Sequence, residues 1–412
     1  MKDINRAIVR FLLVGLFFLI VSSSSAQVSN NYIYGKVFTT DGSSFEGFIK
    51  FGKRSFLWSD FYKLEKIDNP YSDYIPENKR KIRNKRIEDE FGAVRIVNRN
   101  PRRPTIHRFS IRFGYIKSID FSGRKDVTLE IKGDKYINLE SSYSHRNLSV
   151  SVTDIEFGEV KLRADDIDKI ELMSRPVDLK ISRAQPIYGT VVAEQGEFTG
   201  FICWDNDEVD GDDLLDGTWK RRDVSVLFRN IKSIVKEGRC CKVTTSSGKQ
   251  IELCGSNDVD SGNRGVFVNM PNVGRVKVNW RDFKSINIIQ QLYDVGLSYD
   301  DYKAANRMSA TVTLKNNKEH SGVLVYDLDE AMDIEVLDGK NGNLEYQIPF
   351  MYIKSITPRG FDYSRVELRN GAKLSLGDSS DVDYKNSGIL LFTGGEDTEF
   401  FYWYEVKKIE FK

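Results

Sequence analysis

Apolar residues fall at every third position in a short signature that recurs six times. A large or aromatic residue (Ala164 in one copy) is followed three later by a branched or aromatic one, and three after that by Ile. The copies are Phe113-Ile116-Ile119, Ala164-Ile167-Ile170, Phe228-Ile231-Ile234, Trp280-Phe283-Ile286, Phe350-Ile353-Ile356 and Trp403-Val406-Ile409. A period of three is neither the alternation of a strand nor the 3.6 of an α-helix. It suits a single 3₁₀ turn, which eclipses residues three apart, running into a strand. Elsewhere the pattern is short apolar runs broken by turn residues, which predicts hairpins.

The signatures are spaced 51, 64, 52, 70 and 53 residues apart. That alternation predicts three tandem modules, each of two unlike halves, A and B. A halves open with hairpins: Tyr34–Val37 to Gly47–Ile49, Tyr188–Val191 to Gly200–Ile202, and Ala310–Val312 to Gly322–Leu324. B halves carry hairpins around Ser247-Gly248 and Asn370-Gly371. An Asx-rich loop follows each, Asp258, Asp260 and Asn263 matching Asp381, Asp383 and Asn386 at a constant offset of 123. Module one has a shortened version at Ser141 to Val152. The modules are placed at 28–174, 182–288 and 305–412, with linkers Met173 to Pro186 and Ile289 to Met308. In the second linker, Ser298 is positioned to cap one helical turn.

A strand, a 3₁₀ turn and a closing strand resemble the ending of SH3-like and Sm-like barrels. The spacing of Val37, Gly42, Gly47 and Ile49 resembles the first hairpin of that class. The resemblance implies an all-β fold in which each module is a pair of small SH3-like/Sm-like β-barrels, six half-repeats in all. Closure would remove aggregation-prone edges. β-Sandwich modules and a six-bladed propeller are the alternatives, and the regular A/B difference counts against the propeller. The Asn-bearing loop with which Sm-like proteins hold RNA has no match, so RNA binding is not implied.

Residues 1–26 read as a signal peptide: Lys2, Arg6 and Arg10, then the apolar run Phe11 to Val21, then small residues to Ala26. Eleven apolar residues are too few to span a bilayer. An uncleaved anchor is the alternative. Cleavage would change the net charge from +1 to about −1, since three basic residues and Asp3 leave. The expectation is a bacterial protein exported to the periplasm or beyond the cell, not membrane-spanning after cleavage. All four cysteines lie in module two. A bridge from Cys240 or Cys241 to Cys254 is compatible with export, and adjacent strand residues face opposite ways, so only one can form it.

Charge adds one strong feature. Residues 77–108 hold eleven Lys and Arg against four acids, a net +7. Lys79, Arg80, Lys81, Arg83, Lys85, Arg86, Arg102 and Arg103 are the candidate ligand-binding residues, for an anionic envelope component or protein rather than nucleic acid. Two acidic loops align at an offset of 122, Trp204 to Gly217 and Tyr326 to Gly339. Asp205, Asp207, Asp327 and Asp329 are candidate Ca²⁺ ligands, although the spacing fails the EF-hand pattern. Otherwise Asp216-Gly217 and Asp338-Gly339 read as turns with solvated acids around them. Trp58, Trp204, Trp219, Tyr326 and Trp403 suit a groove floor or core; for Trp280 and Trp403 core is expected. His107, His145 and His320 do not repeat, and no nucleophile elbow or phosphate loop is present. The expected function is a non-catalytic binding or scaffolding protein of the cell envelope, with no cofactor. A Ca²⁺-stabilised surface protein and a carbohydrate-active enzyme are the alternatives.

Overall fold

Five of the six signatures begin in a 3₁₀ turn: Phe113–Tyr115, Ala164–Asp166, Phe228–Asn230, Phe350–Tyr352 and Trp403–Glu405. Trp280 opens an ordinary turn instead. In each copy the second and third residues are buried at the start of the next strand. The computed structural model describes residues 30–66, 71–80, 82–99, 107–121, 126–140, 149–179, 183–290, 295–394 and 397–412. Residues 1–26, read from the sequence as a signal peptide, lie outside them, as does most of the shortened loop of module one. No helix among the described residues is long and apolar enough to cross a membrane.

The chain is all-β. Module one contains β1 (Tyr34–Thr39), β2 (Ser44–Phe51), β3 (Phe61–Lys66), β4 (Ile82–Glu88), β5 (Val94–Arg99), β6 (His107–Arg112), β7 (Ile116–Asp120), β8 (Asp126–Ile131), β9 (Lys135–Glu140), β10 (Ser149–Asp154), β11 (Gly158–Arg163) and β12 (Ile167–Leu172). Module two contains β13 (Tyr188–Ala193), β14 (Gly196–Cys203), β15 (Leu214–Trp219), β16 (Arg222–Leu227), β17 (Ile231–Glu237), β18 (Cys240–Thr245), β19 (Gln250–Cys254), β20 (Val266–Met270), β21 (Gly274–Val278) and β22 (Phe283–Ile288). Module three contains β23 (Ser309–Leu314), β24 (Glu319–Val325), β25 (Val336–Asn341), β26 (Leu344–Pro349), β27 (Ile353–Arg359), β28 (Tyr363–Leu368), β29 (Lys373–Gly377), β30 (Ile389–Gly394), β31 (Asp397–Phe401) and β32 (Val406–Phe411).

Strand pairing gives one ten-strand antiparallel order three times. It is β11-β10-β2-β1-β12-β7-β8-β9-β3-β6 in module one. In module two it is β21-β20-β14-β13-β22-β17-β18-β19-β15-β16. In module three it is β31-β30-β24-β23-β32-β27-β28-β29-β25-β26. The order is symmetric about its centre, where the closing strands of A and B pair. There the last Ile of one signature faces the last Ile of the other: Ile119 and Ile170, Ile234 and Ile286, Ile356 and Ile409.

This corrects the expectation that each half closes on itself. The A hairpin β1–β2 pairs with β10 and β12 of the B half, while β3 of the A half pairs with β9 of the B half. The halves are interleaved, and no barrel closes among the described residues. A 3₁₀ turn leading into a closing strand is the same local structure whichever hairpin that strand joins, so the signature does not choose between the two arrangements.

The modules are joined. β21 pairs with β26 across the boundary of modules two and three, Arg275 opposite Gln347. One core runs through both, with Trp204, Trp280, Tyr326 and Trp403 inside it. A second core fills module one and takes in Phe201, Cys203 and Val209 of module two, Tyr302 and Ala305 of the second linker, and Ile334 of module three. Ser298 and Asp301 of that linker form a capping box, and the linker is held on module one by Lys135 Nζ, which donates to Ala305 O at 2.6 Å. The disulfide is Cys240–Cys254, across directly opposed positions of β18 and β19, and Cys241 is buried on the other face.

Candidate functional site

Three places carry polar chemistry: the basic insertion, the acidic loops, and a cleft where the modules meet. The insertion folds into the hairpin β4–β5 after two short 3₁₀ turns. It lies back on module three. Ile75 is buried among Val325, Leu328, Leu390, Phe400 and Tyr402, and Ile87 packs on Phe361. Polar contacts follow the apolar ones. Lys79 Nζ donates to Phe400 O at 2.6 Å and lies 4.0 Å from Glu405. Lys85 Nζ donates to Tyr404 Oη at 2.9 Å. Arg95 bonds Asp362 at 2.7 Å and lies over the rings of Phe361 and Tyr384. Arg80 turns inward to its own segment, donating to Ile75 O at 2.8 Å. Arg86 is exposed on β4. Arg83 is placed on β4 by its backbone; Lys81, Arg102 and Arg103 lie outside the described residues.

The acidic loops are built by their own carboxylates. Asp60, Asp213 and Glu335 precede β3, β15 and β25, and each accepts two backbone N–H bonds from the loop before it. The donors are Phe56 and Leu57 (both 2.8 Å), Val209 and Asp210 (2.6 and 3.0 Å), and Ala331 and Met332 (2.7 and 2.8 Å). Asp258 and Asp381 of the Asx loops accept from Asp216 N and Asp338 N at 2.8 and 2.6 Å. Trp204 Nε1 donates to Asp258 O, and Tyr326 Oη to Asp381 O, so the two loops are tied in the same way.

The reading of Asp216-Gly217 and Asp338-Gly339 as turns is corrected: both pairs lie within strands, β15 and β25. Glycine is needed there because a Cβ would sit 2.9 Å from the Cβ of Leu253 or Leu376 on the neighbouring strand. Many of the surrounding acids are not solvated: Asp205, Asp258, Asp327, Asp329, Glu330 and Asp381 are buried, whereas Asp212 and Asp216 are exposed.

In module two this charge is answered by Arg264. Its Nη2 lies 2.9 Å from Asp205 and 2.5 Å from Asp207, and its backbone N–H also donates to Asp205. Lys53 of module one approaches Asp207 at 3.3 Å, and Arg54 donates to Asn206 at 2.5 Å. Burial works against it, but Arg264 and Lys53 hold the Asp207 carboxyl below its ordinary range. Glu208 is pushed up to about 9 by burial and by Asp207 and Asp258.

In module three, Lys66 of module one enters beside the loop and pairs with Glu335 at 2.6 Å. Glu330 is raised well above the carboxylate range by burial, then by Asp329 and Asp381. A cavity of about 500 Å³ opens there, lined by Asp327, Asp329, Glu330, Asp381 and Ser387. It meets a second cavity of about 330 Å³ formed by all three modules, with Lys63, Arg108, Phe267, Arg275, Asp338 and Gln347 in its walls. Arg275, fully enclosed, is lowered to about 10 by burial and by Arg54, and its Nε donates to Gln347 at 3.1 Å.

Asp205 and Asp207 therefore share an arginine, and Asp327 and Asp329 line the cavity. Among the described residues, the three-donor group whose atoms lie within 4.8 Å of one another is Cys240, Glu252 and Cys254, and its two sulfurs form the disulfide. Sequence reasoning missed Lys66 and Arg264, and it counted Arg95 in the basic insertion without placing it among the candidate binding residues. Arg264 had a readable signal, since it stands where module three has Ser387 in a loop whose Asp, Val, Asn and Gly265/Gly388 positions match. No family model, curated protein or solved structure matches the chain.

Proposed function

We propose that this is an exported, non-catalytic binding protein of the cell envelope, periplasmic or extracellular after removal of residues 1–26. In this reading the three modules, each a pair of small SH3-like units exchanging strands, form a frame for ligand-contacting loops. The basic arm contacts an anionic envelope component. The observation that carries the reading is the division of labour in the arm. Ile87, Lys79, Lys85 and Arg95 seat it on module three, which leaves Arg86 exposed at a fixed place on the frame. A held arm loses little conformational entropy on binding, and that favours affinity. The Cys240–Cys254 disulfide supports an oxidising compartment.

The test is binding of residues 27–412 to phosphatidylglycerol vesicles and to polygalacturonate, across salt concentrations. The reading expects salt-sensitive binding that weakens in Lys81→Glu/Arg86→Glu while the melting temperature stays the same. No binding to either probe, or equal binding by the variant, would overturn it. Charge reversal is preferable to deleting the arm, because deletion would uncover Phe361, Phe400 and Tyr402. Ca²⁺ on Asp205, Asp207, Asp327 and Asp329 is a weaker proposal, since Asp205 and Asp207 already hold Arg264. A melting temperature higher in millimolar Ca²⁺ than in EDTA would revive it.

A further inference from the structure

Each ten-strand ladder has two ends, and one joint shows what such ends do. β21 ends the ladder of module two and β26 ends that of module three. They pair with Arg275 opposite Gln347, Val276 opposite Tyr346 and Lys277 opposite Glu345. Four ends remain: β6 and β11 of module one, β16 of module two and β31 of module three. The chain itself covers two of them. β31 lies under the arm, where Phe400 O accepts from Lys79 Nζ and Thr398 Oγ1 donates to Tyr74 O at 3.2 Å. β6 faces module two, and its Arg112 donates to Pro271 O at 2.7 Å and to Met270 O at 3.1 Å, where β20 turns into β21. Among the described residues, β11 pairs with β10 alone and β16 with β15 alone. Glu159, Lys161 and Arg163 on β11 are exposed, as are Arg222, Asp223 and Ser225 on β16. An open edge of this kind presents a row of unpaired N–H and C=O groups.

The two open ends are of opposite type. Counted back from the signature residue that follows it, β11 aligns with residues 274–279, so it is module one's copy of β21. Counted in the same way, β16 aligns with β26. We propose that β11 of one copy of this chain pairs with β16 of a second copy, repeating between molecules the joint that β21 and β26 make within one. The register of that joint carries over to Glu159 opposite Ser225, Val160 opposite Val224 and Lys161 opposite Asp223. Opposite charges then face each other at the step where Lys277 faces Glu345. Within its own chain Lys161 approaches Glu159 at 3.8 Å and keeps 74% of its side chain exposed. Apolar residues flank the same line. Phe157, 67% exposed, stands where Val273 packs on the core shared by modules two and three. Leu214, opposite Leu227 in the β15–β16 hairpin, is 44% exposed. At Gly274 the place of a Cβ is taken by Gln347 O across the joint; at Gly158 nothing lies within 4 Å of that place. A contact between two different edges repeats head to tail, so it closes into a ring or runs on as a filament. No residue of the basic arm belongs to either strand, so this inference stands apart from anion binding.

The experiment is sedimentation velocity of residues 27–412 at about 1–100 μM. It compares the parent chain, Lys161→Glu, Asp223→Lys, an equimolar mixture of these two variants, and the chain carrying both changes. The expected result is a mean mass that rises with concentration to two copies or more. Each single reversal should weaken association by about fivefold, with the melting temperature unchanged because both side chains are exposed. The mixture and the doubly changed chain should regain the parent's association, since every contact again sets opposite charges together. Phe157→Ser should weaken association without changing any charge, and it decides the matter if a reversal does not fold. The proposal is overturned if the parent stays a single copy at about 100 μM, or if the mixture stays as weak as either variant alone. It is also overturned if Asp223→Lys associates as tightly as the parent, the result that a contact between two β11 edges would give.

Discussion

Asp60, Asp213 and Glu335 do the same job three times: each closes the loop ahead of a strand by accepting two backbone N–H bonds. Losing such an acceptor leaves buried donors unpaired. Asp213→Ala should therefore cost about 1–3 kcal/mol, seen as a lower denaturation midpoint with an unchanged slope. A midpoint equal to the parent's would mean that the loop is held by other contacts. Glu208 gives a pH prediction. Its folded-state value of about 9 lies above that of an unfolded glutamate, so the folded chain keeps a proton that the unfolded chain has released. Stability from this group is complete below the unfolded value and is lost as pH rises towards 9. Glu208→Gln imitates the protonated acid at every pH. Its melting temperature should gain on the parent's steadily from pH 5 to pH 9; a constant difference would count against the assignment. None of this inward use of acids was readable locally. A run of Asp and Glu looks the same whether it faces water or its own backbone, and only the recurrence of an acid just before β3, β15 and β25 hinted at it.

At the scale of elements, hairpins and signature turns were readable because their chemistry is local: glycine or Asx at the turn, and an apolar residue at every third place before a closing strand. Strand exchange between halves was not. Pairing β12 with β1 rather than with β8 depends on contacts between residues more than a hundred positions apart, and neighbouring residues do not record them. The arm was half readable. Its charge was plain, but Ile75 just ahead of the basic stretch and Ile87 within it are apolar residues that carry no pattern, and they are what seats it on module three. The β21–β26 joint depends on Gly274, whose φ is +141° and whose Cβ, if present, would overlap Gln347 O. Gly274→Val should therefore cost about 2 kcal/mol or more and loosen the joint, which hydrogen exchange at β21 and β26 would register. Protection equal to the parent's would show that the joint tolerates a side chain.

Over the whole molecule, three copies of one ladder are tied together four ways. Modules two and three share a core and a strand pair. Module one sends Lys53 and Arg54 to module two and Lys66 to module three. The second linker packs into the core of module one, and the basic arm crosses to module three. The binding reading needs this to be one body, because it sets the basic arm of module one at a fixed place on module three. A chain of tandem repeats joined by free linkers would instead unfold piece by piece. Differential scanning calorimetry of residues 27–412 is the most direct test. The account predicts a single transition whose calorimetric and van't Hoff enthalpies agree. Separate transitions for separate modules, or a calorimetric enthalpy several times the van't Hoff value, would contradict it.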